Sequence, residues 1–214
     1  MKIHKSSPLN FVARPVGGPR TLICTHLPKK ANLLQYKVDA CVRFWENARP
    51  LFSRRLSLCD EYGNLPEGIV ETTGVERRIY TESGAIDEAG CPALDEGFAG
   101  PGYRLMVLGG GYIDACLAVT FESLVRTKLG QDGEKLQAIL PLPIIYCGLD
   151  GNTREYINSR ENVYIQILRE FPGRPNWIIT LDGQPVDYQG RENFAVEVHF
   201  FMKMSTFLKF LQLP

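Results

Sequence analysis

Short apolar runs of strand length alternate with segments of helical periodicity along most of this 214-residue chain. Such alternation needs crossover connections, and crossovers bring strands into a mainly parallel sheet with helices packed on its faces. Thr21 to Thr25 is the first apolar run and reads as a buried strand after Gly17-Gly18-Pro19. Leu33, Leu34, Tyr36, Val38, Cys41, Val42, Phe44 and Trp45 predict a helix over 32–48 that Pro50 stops. Residues 51–76 hold turn chemistry at Gly63, Asn64 and Pro66 and resist assignment. A strand is expected at 78–81, then an acidic loop with Gly and Pro from Gly84 to Gly102. Tyr103 to Leu108 reads as a strand, Gly109 to Gly111 as a turn, and Ala115 to Lys128 as a helix with Asp114 as N-cap. Further on, 142–147 is expected as a strand, 155–171 as one helix, and 176–181 as a strand closed by the Asp182-Gly183 turn. The run 194–201 is expected to return antiparallel, and 205–213 to form a short helix. The fold class is therefore α/β, a mainly parallel sheet flanked by helices, with an extra C-terminal strand and helix. One domain is expected over 21–214, preceded by an extended arm over 1–20.

Charge and cysteine usage narrow the function classes. Lys plus Arg equals Asp plus Glu at 24 each, which excludes the strongly basic balance of a general nucleic-acid binder. A near-neutral chain self-associates readily, so a homo-oligomer is expected. The first 38 residues carry seven bases and no acid, but Pro8, Pro15, Pro19 and Gly17-Gly18 oppose a targeting helix. Between Asp60 and Glu96 the balance reverses to ten acids against Arg77 and Arg78, which reads as a solvated face. Six cysteines, none in a C-x-x-C pair, fit neither a disulfide framework nor a zinc site. No run reaches the roughly 20 apolar residues of a membrane span. These features predict a cytoplasmic protein with reduced thiols, no cofactor or metal, and no nucleic-acid or membrane partner.

One segment carries chemistry. In Leu105-Met-Val-Leu-Gly-Gly-Gly-Tyr-Ile-Asp-Ala-Cys116-Leu-Ala-Val-Thr120 a strand meets a glycine turn and then a helix. A cysteine in the first helical turn faces free backbone N–H groups and the positive end of the dipole. Both favour a thiolate, so a lowered thiol pKa is expected for Cys116. The same N–H groups can hold the oxyanion of an attacked carbonyl. Asp114 opposes the thiolate if its carboxylate faces the sulfur. Cys24, Cys41, Cys59, Cys91 and Cys147 lack such a setting and read as core or loop residues.

Gly110, six residues before Cys116, and Thr120, four after it, give a Gly…Cys…Thr turn that resembles the isochorismatase-like cysteine hydrolases, which include nicotinamidases. The resemblance implies a six-stranded parallel sheet with helices on both faces. It also implies a Cys nucleophile, a base on the first strand, a Lys on a middle strand, and hydrolysis of an amide or enol ether. The chain departs from that pattern in three places. No carboxylate stands at Thr25 or His26, arginines stand at 77 and 78 where the Lys would fall, and Ile113 replaces a Thr. His26 can replace the base, because imidazole accepts a proton from a thiol. Arg78 can hold an anionic substrate but cannot transfer protons. Glu82 is a second candidate base or substrate contact, and Gly110, Gly111 and Tyr112 are expected to contact the substrate.

Other signals are weak. Gly109-x-Gly111 lacks the third glycine of a dinucleotide fingerprint, since Asp114 stands there. His4, His26 and His199 share no metal-ligand spacing. Two functions follow: a cysteine hydrolase acting on a small-molecule substrate through Cys116, His26 and Arg78, or a scaffold without catalysis that serves as a binding or assembly module.

Overall fold

Nine strands, all but one of them parallel, build one sheet in the computed structural model, which describes residues 11–18, 20–25, 35–47, 49–59, 76–80, 105–129, 135–146, 152–173 and 175–212. With elements numbered among these residues, the chain runs β1 (Arg20–Thr25), α1 (Gln35–Asn47), β2 (Arg54–Cys59) and β3 (Glu76–Tyr80). It continues through β4 (Leu105–Tyr112), α2 (Cys116–Leu129), β5 (Leu136–Pro141) and β6 (Ile145–Tyr146). The last part is α3 (Thr153–Ile157), α4 (Val163–Glu170), β7 (Trp177–Leu181), β8 (Gln184–Gln189), β9 (Val196–Phe201) and α5 (Met204–Gln212).

The spatial order is β3-β2-β1-β4-β5-β9-β7-β8, with β6 paired to β4 outside this path. Every neighbouring pair from β3 to β7 is parallel, and the edge strand β8 runs antiparallel to β7. Parallel strands covered on both faces read as continuous apolar runs, and β1 is buried from Thr21 to Thr25 for that reason. Its side chains alternate between two cores. Leu22 and Cys24 join Cys41 and Trp45 of α1 and Phe207 and Phe210 of α5. Ile23 joins Leu117 and Phe121 of α2 and Tyr164 and Leu168 of α4 on the opposite face. Each large apolar side chain so buried contributes about 1.5–3 kcal/mol, and this burial holds the helices to the sheet.

Several expectations are corrected. The central strand after α2 is 136–141, and 142–144 is a 3-10 turn around Pro143, leaving only 145–146 as strand. The helix expected over 155–171 is two helices, because the buried Asn162 side chain accepts from Tyr164 N and donates to Ile157 O. That amide ends α3 and caps α4. The last strand lies parallel between β5 and β7 rather than returning antiparallel, and the antiparallel strand is β8. It follows the Asp182-Gly183 turn, whose two residues have φ of 49° and 81°. β2 occupies part of the stretch that resisted assignment.

From β1 the chain winds outward to β3, and from β4 it winds the other way to β5. Adjacent strands whose connections leave in opposite directions open a crevice at their carboxyl ends, where doubly wound folds bind ligands. Here that crevice lies beyond Thr25 and Gly110, which are register partners.

Candidate active site

The expected glycine turn is the end of a strand. β4 runs on through Gly109, Gly110 and Gly111 to Tyr112, and the turn is 113–115. Gly110 has φ +71°, and a Cβ there would stand 2.4 Å from the Thr25 carbonyl oxygen. Gly111 has φ +47°, and its Cβ would stand 2.8 Å from Cys116 Sγ. Both positions need glycine twice over, for the left-handed backbone and for the missing side chain. Their absent side chains let β4 close on β1 and let the sulfur lie against the strand end.

Helix α2 begins at Cys116, and Val119 N–H donates to Ala115 O at 3.0 Å, which makes Ala115 the N-cap in place of Asp114. Cys116 is thus the first helical residue, and its side chain is partly exposed. Tyr112 N–H donates to its Sγ at 3.1 Å. Below it, Thr120 Oγ1 donates to Cys116 O at 2.9 Å and lies 3.1 Å from Thr25 Oγ1. Since the Thr120 proton goes to the carbonyl, Thr25 is the donor in the second bond. The Thr25 hydroxyl, at the end of β1, is therefore committed to α2 rather than to the sulfur.

The lowered thiol pKa expected from the helix terminus is corrected. Burial pushes the Cys116 thiol up, and this outweighs the backbone N–H groups of Tyr112, Leu117 and Cys116, which favour the thiolate. The Asp114 carboxylate pushes it up further, as its proximity in sequence suggests. A dipole and three amides do not compensate for the water that the sulfur loses.

Four of the expected site residues, Gly110, Gly111, Tyr112 and Cys116, are gathered at the switch point. Gly110 and Gly111 are buried beneath the sulfur, while Tyr112 is half exposed beside it. Arg78 lies in β3, where it pairs with Ser57 of β2, which in turn pairs with Cys24 of β1. Two strand spacings, roughly 10 Å, thus separate its backbone from β1. His26 and Glu82 lie outside the described residues.

Sequence reasoning missed two participants. Thr25 was visible only as the place where a carboxylate is lacking. Tyr156 of α3 accepts a hydrogen bond from Val163 N–H at 3.0 Å, and burial followed by the Asp114 charge raises its pKa. Asp114 is therefore felt by both Cys116 and Tyr156, which places α3 beside the turn. No local signal announces that approach, because Asp114 and Tyr156 belong to separate parts of the sequence. Among the described residues no group of three His, Cys, Asp or Glu is placed to hold a metal ion.

No protein-family profile matches the chain, and no curated protein does. Solved structures do. A hypothetical protein from Trypanosoma cruzi superposes with a TM-score of 0.51 at 11% identity, over 94% of this chain and 87% of that one. A protein from Leishmania donovani carrying the name MAR1 ribonuclease gives a TM-score of 0.48 at 11% identity, covering 88% of this chain and 83% of that one. The nicotinamidase of Staphylococcus aureus gives 0.44 at 12% identity, over 72% of this chain and 92% of that one. The near-complete overlap with the trypanosomal protein and the 3-2-1-4-5 strand order agree on the architecture. The chain shares the α/β fold of the trypanosomal protein, with Cys116 opening the helix that follows its central strand.

Proposed function

We propose that this protein is a cysteine hydrolase that cleaves an amide or related carbonyl bond of a small substrate through Cys116. The observation that carries the reading is the placement of the sulfur. It is partly exposed at the first residue of α2, at the carboxyl-end crevice between β1 and β4, with an amide donor 3.1 Å away. The missing side chain of Gly111 makes room for that sulfur, since a Cβ there would stand 2.8 Å from it.

The raised pKa means that the resting sulfur carries its proton, so a base must take it as the sulfur attacks. His26 is our choice for that base, since it follows Thr25 directly in the chain and Thr25 O lies beside Gly111, the glycine that the sulfur packs against. In the proposed reaction the Cys116 sulfur bonds to the carbonyl carbon while backbone N–H groups of the first turn receive the oxyanion. The C–N bond then breaks, and the nitrogen leaves as ammonia or an amine with the proton that the base took. Water hydrolyses the thioester and restores the thiol. Arg78 is assigned to an anionic group on the substrate.

Release of ammonia from a panel of small primary amides tests this reading. The native chain should release it from at least one amide, and Cys116→Ala should slow release by about a thousandfold or more. Equal rates in the two proteins, or no release from any amide, would remove the reading.

A further inference from the structure

Two cysteines that the hydrolytic reading does not use lie together under the site. Cys24 on β1 and Cys41 on α1 are fully buried and face each other with their sulfurs 3.9 Å apart. Two thiols in contact serve as small apolar groups in many cores. A second observation sets this pair apart. Arg55 of β2, the register partner of Leu22, is buried beside them, with Nη1 donating to Trp45 O at 2.7 Å and its guanidinium 5.1 Å from the Trp45 ring centre. A buried cation is costly, and its field reaches the Cys24 sulfur. Burial and the Cys41 contact raise the Cys24 thiol well above its ordinary value, and Arg55 offsets only part of this, so oxidation needs a local opening that exposes the pair.

We propose that Cys24 and Cys41 are a peroxide-oxidisable dithiol whose disulfide would pin α1 to β1 one residue before Thr25. Closing the contact to a bond requires about 2 Å of approach, which side-chain rotation and a small helix shift can supply. In the first step one sulfur gives up its proton and attacks a peroxide oxygen. The O–O bond breaks, the leaving hydroxide takes the proton as water, and a sulfenic acid remains. The second sulfur then attacks the sulfenic sulfur, the S–O bond breaks, and a second water leaves with the second thiol's proton. Two thiols lose two electrons, and one peroxide becomes two waters. Hydrogen peroxide is small enough to enter by local opening where a bulky disulfide reagent is not. The consequence for the site is direct, because Cys24 pairs with Gly109 and the adjoining Thr25 hydroxyl holds Thr120.

The test is peroxide treatment of the full chain until Cys116 is completely oxidised, with the circular dichroism spectrum unchanged. Remaining thiols are then alkylated under denaturing, non-reducing conditions. Lys29, Lys30 and Lys37 lie between the two cysteines, so trypsin separates the halves. The expected product is a linked pair of peptides, lighter by two hydrogens than the two thiol peptides together, in more than half of the chains and lost on adding dithiothreitol. Cys41→Ser should abolish the link, and if that variant does not fold, the native result decides alone. Recovery of Cys24 and Cys41 as separate alkylated peptides, or linkage of either to another cysteine, would overturn the proposal.

Discussion

Thr25 and Thr120 join the end of β1 to the second turn of α2 through hydroxyls 3.1 Å apart, and Thr120 passes the contact on to the Cys116 carbonyl at 2.9 Å. Both threonines are fully buried. Thr120→Val keeps the shape and removes the acceptor, leaving the Thr25 hydroxyl buried without a partner. The expected cost is about 1–3 kcal/mol in a urea titration, with Thr120→Ser retaining most of the stability. Equal stability of the Val and native proteins would contradict the bond.

The two left-handed glycines give a graded prediction. Gly110→Ala drives a Cβ into the Thr25 carbonyl, which is backbone and cannot swing aside, whereas Gly173 has φ +87° and nothing within 4 Å. Gly173→Ala should therefore cost only the conformational strain, about 1–2 kcal/mol, and Gly110→Ala clearly more. Gly111→Ala meets the Cys116 sulfur at 2.8 Å and should alter the reactivity of that thiol as well as the stability. Comparing the three denaturation midpoints checks the order.

The pH dependence of thiol reactivity follows from the raised pKa of Cys116. Alkylation of Cys116 by iodoacetamide should be slow near neutrality and still climbing above about pH 8.5, the ordinary thiol range. Asp114→Asn removes a charge that opposes the thiolate and should speed labelling at a fixed pH of about 8. Cys24 and Cys41, fully buried, should label last among the described thiols. A plateau below pH 7 would contradict the burial argument.

The same shifts govern stability. The Cys116 thiol, and Cys24 still more, bind their protons more tightly in the folded chain than in the unfolded one. Their contribution is thus complete below about pH 8.5 and declines as the pH rises through the folded values. Unfolding free energy measured from pH 8 to 11 should fall, and Cys116→Ala should flatten part of that fall.

Much of the fold was legible because burial on both faces writes strands as unbroken apolar runs, as in β1, and because α2 follows its strand directly. β2 was not legible, since Arg54 and Arg55 open it, and only the structure shows Arg55 buried against Trp45. The strand at β5 was displaced in the reading because Ile144, Ile145 and Tyr146 have strand-like chemistry while Pro143 forces a 3-10 turn. Asn162, a poor helix interior residue, marked the α3–α4 break but was read through. For the site, the sulfur's place at a helix start could be read from strand, glycines and helix. Its pKa could not, because desolvation depends on what packs around the turn from elsewhere in the chain.

The most direct test of the central claim is the mass of the chain when turnover of an amide is stopped by acid. The account predicts an added acyl mass, located by peptide mapping on Cys116, that disappears in Cys116→Ala. Ammonia release with no acyl group on Cys116, or with the adduct on another residue, would contradict it.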